Sequence, residues 1–166
     1  MSRTRWRGGN FFVQVMVLGL LIGCGSANPV RKAERESTYR ESLVSASRDE
    51  ILREADQTLI IRYGFRFQET RTDSADDLRF VTSWKDVQPT DDELAQGYQG
   101  AQTRITLIGR PRNRLGGSSE SFTVQFIGEV RLMEMNVWKR VPMTEQRRAY
   151  FKEIAEYLSR KLQTGF

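Results

Sequence analysis

The stretch SFTVQFIGEVRLMEMNV, residues 121–137, decides the fold. Phe122, Val124, Phe126, Val130 and Leu132 share one phase of a period-two alternation, with polar residues mostly in the other. Successive strand side chains point to opposite faces, so this pattern predicts a long strand with one buried and one wet face. Gly128 falls in the apolar phase and predicts a bend or bulge. The phase slips near Met133 to Val137, as at a further bulge or twist.

Working back along the chain, residues 111–119 (PRNRLGGSS) are turn-rich and predict a hairpin loop. Residues 103–110 (TRITLIGR) form the strand before it. The loop from Gln88 to Gly100 holds Pro89, Gly97 and Gly100, with a helical turn at 91–96. Leu78, Phe80 and Trp84 alternate with Arg79, Ser83 and Lys85 in another strand, preceded by a polar turn at 70–77. Residues 59–68 (LIIRYGFRFQ) place Leu59, Ile61, Tyr63, Phe65 and Phe67 on one face, which predicts the first strand. Ser47 and Glu50 have capping-box spacing, with Ile51, Leu52 and Ala55 following on one helical face, so residues 48–57 read as a helix. At the far end Thr144 follows Pro142 as an N-cap. Phe151, Ile154, Ala155, Leu158 and Leu162 then make one stripe. Glu145 in the first turn and Arg160 and Lys161 in the last suit the helix dipole, and Gly165 suits a stop.

The expected architecture is α+β: a two-layer sandwich whose antiparallel four-stranded meander is flanked by an N-terminal and a C-terminal helix. The domain spans 47–166, with a tether at 24–46 and a processed segment at 1–23. The tether (GSANPVRKAERESTYRESLVSA after Cys24) has few large apolar residues and no clear apolar face. As a flexible chain it would reach about 25 Å. A partial helix through 31–45 is the alternative.

Residues 1–10 carry Arg3, Arg5 and Arg7, and 11–22 (FFVQVMVLGLLI) are an apolar run of 12 residues. A positive start and a short apolar run describe a secretory signal peptide, and a transmembrane helix needs about 20 apolar residues. Leu21-Ile22-Gly23-Cys24 then resembles the lipobox of bacterial lipoproteins. That resemblance implies cleavage between Gly23 and Cys24. It also implies diacylglyceryl and N-acyl groups on Cys24, with no other cofactor expected. In enteric members an Asp after the cysteine retains the protein in the inner membrane. Gly25 here implies an outer-membrane lipoprotein facing the periplasm. Cys24 is the single cysteine, so no internal disulfide forms, and lipidation accounts for a lone thiol in an exported chain. Two or more acyl chains give stable anchoring.

Much of the formal charge of +5 belongs to the signal: without Arg3, Arg5 and Arg7, 23 basic face 21 acidic residues. The mature chain is nearly balanced, which argues against a nucleic-acid partner. The sequence has no histidine, which removes Ser-His-Asp and Cys-His catalysis and histidine-held metal. Gly116-Gly117 lacks the Lys that a phosphate loop needs. Asp76-Asp77 and Asp91-Asp92-Glu93 do not follow EF-hand spacing and read as solvated loop acids. No catalytic or metal residue is expected.

Arg110, Arg112 and Arg114 alternate, so an extended loop would point three guanidinium forks one way, toward carboxylate or phosphate. A solubilising hairpin tip is the plainer reading, since arginine is this chain's usual cation. Trp138, beside Lys139 and Arg140, is the other candidate contact. Tyr63, Phe65, Phe67, Phe80, Trp84, Phe122 and Phe126 either pack the core or line an apolar pocket. The leading expectation is a non-catalytic, lipid-anchored envelope protein that scaffolds or binds a protein partner. The alternatives are a lipid or small-molecule carrier and a carboxylate-based envelope hydrolase.

Overall fold

A computed structural model describes residues 35–71, 77–112 and 121–164. The long 121–137 segment is two strands: β6 (Phe122–Glu134) turns at Met135 and Asn136 into β7 (Val137–Lys139), which pairs back on it. The phase slip is therefore a hairpin, and both turn residues have left-handed φ, 49° and 64°. β5 (Gly100–Pro111) lies antiparallel to β6 over its whole length. On the far side of β5 sit β3 (Leu78–Thr82) and the short β4 (Lys85–Val87), and β2 (Phe67–Arg71) edges β3.

Among the described residues the sheet has seven antiparallel strands rather than the four-stranded meander expected, with β1 (Thr38–Ala46) at one edge, in the order β1-β6-β5-β3-β2 with β4 on β5 and β7 on β6. The added edge is β1, which the sequence reading placed in the tether. Its register on β6 shifts between Ser42 and Ser45. That shift breaks the alternation and leaves Leu43 and Ala46 as its buried apolar residues. The folded unit thus begins before residue 47.

From β1 the chain crosses one face of the sheet to reach the opposite edge. It does so as helix α1 (Arg48–Ala55), continued by a π-helix (Asp56–Arg62). The Ser47 capping box forms as expected, with Glu50 N–H donating to Ser47 Oγ and Ser47 N–H to Glu50 Oε2. The strand expected from Leu59 does not begin until Phe67. Residues 56–62 remain helical because nothing in them stops a helix, and Leu59 is fully buried there while Ile61 faces out at 64 % exposure. Gly64, with φ 65°, is the stop, and its N–H donates to Ile60 O.

The short helix α2 (Asp91–Ala95) is capped by Thr90, and the long helix α3 (Glu145–Thr164) starts at the Thr144 cap, whose hydroxyl accepts from Arg147 N–H. The expected α3 stripe, Phe151 to Leu162, is buried against the apolar phases of β5 and β6, in one cluster with Ile51, Ala55 and Leu59. Gly128 is not a bulge: pairing with β5 runs through it without a shift. It is a point of close approach, where the Phe151 ring lies against bare backbone. Tyr39 stacks on the same ring from β1, at 6.2 Å and 17°. Burial, and then its bond to the Glu41 carboxylate, pushes the Tyr39 phenol well above the usual range.

The helices occupy one face of the sheet. Among the described residues no helix covers the other face, and none is long and apolar enough to cross a membrane.

Candidate binding face

The uncovered face is built from the outward phases of the strands. Register sets Ile127 between Arg40 and Thr106, and Glu129 between Thr38 and Arg104. Arg131 follows two residues along β6, opposite Gln102. Arg40, Arg79, Arg104, Arg131 and Arg140 bring five cations to this face, where the named acids are Asp86 and Glu129.

At one end three strands and a hairpin converge on Arg131. Its guanidinium carbon lies 4.3 Å from the Trp84 ring centroid and 5.1 Å from that of Trp138, held between two indoles. Arg104 stacks on Trp84 as well, at 4.7 Å. Such contacts favour a cation by roughly 0.5–2 kcal/mol each and fix the plane of the fork. Arg131 Nε donates to Gln102 Oε1 at 2.6 Å, and Gln102 Nε2 donates to Asp86 Oδ1 at 2.7 Å. Arg131 is thus tied to an acid through a neutral amide. Burial and the Arg104 charge draw its pKa below the arginine norm, and Asp86 opposes them. Gly100 makes room for this end: a Cβ there would come within 3.0 Å of Met133 Cε and 3.4 Å of Trp138 Cη2.

Beside this stack is a cleft of about 270 Å³. Its floor includes Thr106, Ile108 and Ile127, and its walls are Arg40, Arg79, Arg104, Arg140, Thr38 and Glu129. Arg104 donates from Nε and Nη2 to Glu129 Oε2 at 2.8 and 2.6 Å, and Arg140 donates to Glu129 Oε1 at 3.3 Å. Arg40 is exposed and has no ion pair among the described residues. The volume is below the usual range for whole small-molecule ligands, roughly 300–1,000 Å³, and suits one anionic group. Guanidinium forks held in place match carboxylate or phosphate oxygens.

Of the residues singled out from sequence, Trp138 lies in this site. Arg110 is exposed at the far end of β5, in the same outward phase as Arg104, and Arg112 is exposed just beyond the strand. Arg114 lies outside the described residues, as do Gly23 and Cys24. Glu93 is no solvated loop acid: it is buried and paired with Arg147. Asp91 and Asp92 are exposed, Asp77 is half-buried, and Asp76 is outside the described residues. Phe65, Phe80, Phe122 and Phe126 are core. Tyr63 packs on Tyr157, Phe67 is half-exposed against Phe80, and Trp84 faces the arginines. Among the described residues no three carboxylates gather as a metal site.

The chain matches no protein-family model, no curated protein and no solved structure. Its function has to be read from the site. Arg104, Arg131, Arg79 and Arg40 were missed from sequence because they lie on four different strands, far apart along the chain. The signal was present in the polar phases, where several strands carry an arginine.

Proposed function

We propose that this protein is a lipid-anchored, non-catalytic binding protein of the bacterial cell envelope, whose arginine- and tryptophan-lined sheet face receives an acidic segment of a protein partner. The observation that carries the binding half is the Trp84–Arg131–Trp138 stack beside the Arg104–Glu129–Arg140 cluster. Stacked aromatic and arginine side chains are the types that dominate binding energy at protein interfaces. A partner carboxylate placed here meets forks whose orientation is already fixed, so little ordering entropy is lost on binding. The anchoring half rests on the lipobox resemblance at Leu21 to Cys24.

Replacing Cys24 with Ala removes the acyl chains. The expected result is loss of the protein from the membrane fraction and loss of palmitate labelling, with an unchanged melting midpoint. Undiminished membrane retention would contradict the anchor. Replacing Arg104 and Arg131 together with Gln keeps polar, hydrogen-bonding side chains and removes two cations. Partner binding should fall at least tenfold, whereas Lys152→Gln on the helical side should leave it unchanged.

A further inference from the structure

We infer that the end of the domain bearing the β6–β7 hairpin is a membrane-contacting tip, with Met135, Val137 and Leu94 entering the interface of the bilayer that holds the Cys24 lipid. The inference rests on the anchored reading above. It concerns the apolar tip beyond the arginine face, which the tip adjoins at Trp138 and Arg140.

The hairpin turn places Met135 at φ 49° and Asn136 at φ 64°. A two-residue turn of this kind favours Asn or Gly, and a non-glycine residue held left-handed costs on the order of 1–3 kcal/mol. Met135 carries that cost while standing 83 % exposed. Val137 beside it is 54 % exposed, and Leu94 on α2 is 55 % exposed. Leu94 belongs to the same end, because α2 bridges β4 to β5 where Gln99 N–H donates to Met133 O. Trp138 stands behind the tip, followed by Lys139 and Arg140. An apolar point, an aromatic residue and then cations is the order found across a membrane interface.

The chain enters from this end. Thr38 at the start of β1 pairs with Glu129, and Glu36 O accepts from Met143 N–H and Arg148. β6 runs on through Val130–Glu134, which carries the hairpin about 17 Å past that entry point. Cys24 is 14 residues from Thr38, a span of at most about 50 Å. β5 and β6 are themselves about 40 Å long. Glu129 stands about 17 Å from the hairpin and about 24 Å from Phe122 at the other end, so the hairpin end meets the bilayer with less extension of the chain than the Arg112 end does. Asp91, Asp92 and Glu145 are exposed at this end and offset Lys139 and Arg140. The contact is consequently apolar and does not need anionic lipid.

The test uses the full lipidated chain in phosphatidylcholine vesicles. With the Cys24 thiol acylated, Met135→Cys offers a single site for a nitroxide, and Arg112→Cys is the control. The expected spectra show the label at 135 more accessible to oxygen than to an aqueous nickel chelate, with the reverse at 112. Chain that floats with vesicles but carries an aqueous label at 135 overturns the inference and leaves the anchor intact. A label at 135 that is immobilised without lipid, in a particle of twice the mass, assigns the tip to a second copy and overturns it too. Chain that never floats overturns the anchored reading and this inference with it.

Discussion

Gly128→Ala is expected to destabilise the fold by about 3 kcal/mol, at the upper end of the usual cost of overpacking a core. The added Cβ would stand 2.6 Å from Phe151 Cγ and 2.7 Å from Cε1. The ring has nowhere to go: Tyr39 stacks on it, and Phe126 meets it edge-on at 6.4 Å. Phe151 is fully buried at the centre of the α3 stripe, so relief requires α3 to move off β6. For a domain of this size the midpoint should fall by roughly 10 °C or more. Phe151→Leu in the same chain shrinks the clashing group, so the double variant should be more stable than additivity allows. Thermal unfolding of the two single variants and the double checks this. Additive losses would mean that the glycine is required for some reason other than the ring.

Arg147→Ala should cost about 3–5 kcal/mol, the usual penalty for stranding one member of a buried ion pair. Arg147 Nη2 lies 2.6 Å from Glu93 Oε2 and 3.1 Å from Gln88 O, and the two side chains are 6 % and 1 % exposed. Glu93 also accepts from Thr90 N–H at 2.8 Å, so it completes the Thr90 capping box of α2 and pairs with α3 at once. Removing Arg147 leaves a carboxylate in the interior without a counter-charge. Replacing both members, as Arg147→Met with Glu93→Leu, should recover most of the loss. The shortfall should be about 1 kcal/mol, from the lost cap. Denaturant midpoints at constant slope measure both. A single variant that loses less than 1 kcal/mol would show that water reaches Glu93.

What was legible in the sequence had a strong local cause. The Ser47 and Thr144 caps, the α3 stripe and the alternation of β5 and β6 all formed where expected. β1 was not legible because it is an edge strand whose register shift interrupts its pattern, so TYRESLVSA looks like tether. Residues 59–67 misled because their apolar alternation resembles a strand, yet the chain stays helical and puts Leu59 and Ile61 on opposite sides, one buried and one exposed. The better signal was the lack of any stop before Gly64. Arg147 had a signal as well: it sits four residues before Phe151, on the phase of the apolar stripe, where a cation needs a buried partner. Of the candidate site, Trp138 was found and the arginines around it were not. Their convergence depends on strand order, and the expected four-strand order lacked β1 and β7.

The most direct test of the central claim, that the outer sheet face receives an acidic protein segment, is in-cell photocrosslinking from two exposed outward positions on β1, Arg40 and Ser42, with Lys152 on the helical side as control. The proposal predicts one reproducible protein adduct at 40 and 42 and none at 152. That adduct should disappear when Arg104 and Arg131 are both Gln in a chain with unchanged expression and melting midpoint. Adducts confined to Lys152, or face adducts undiminished by loss of the two arginines, would contradict it.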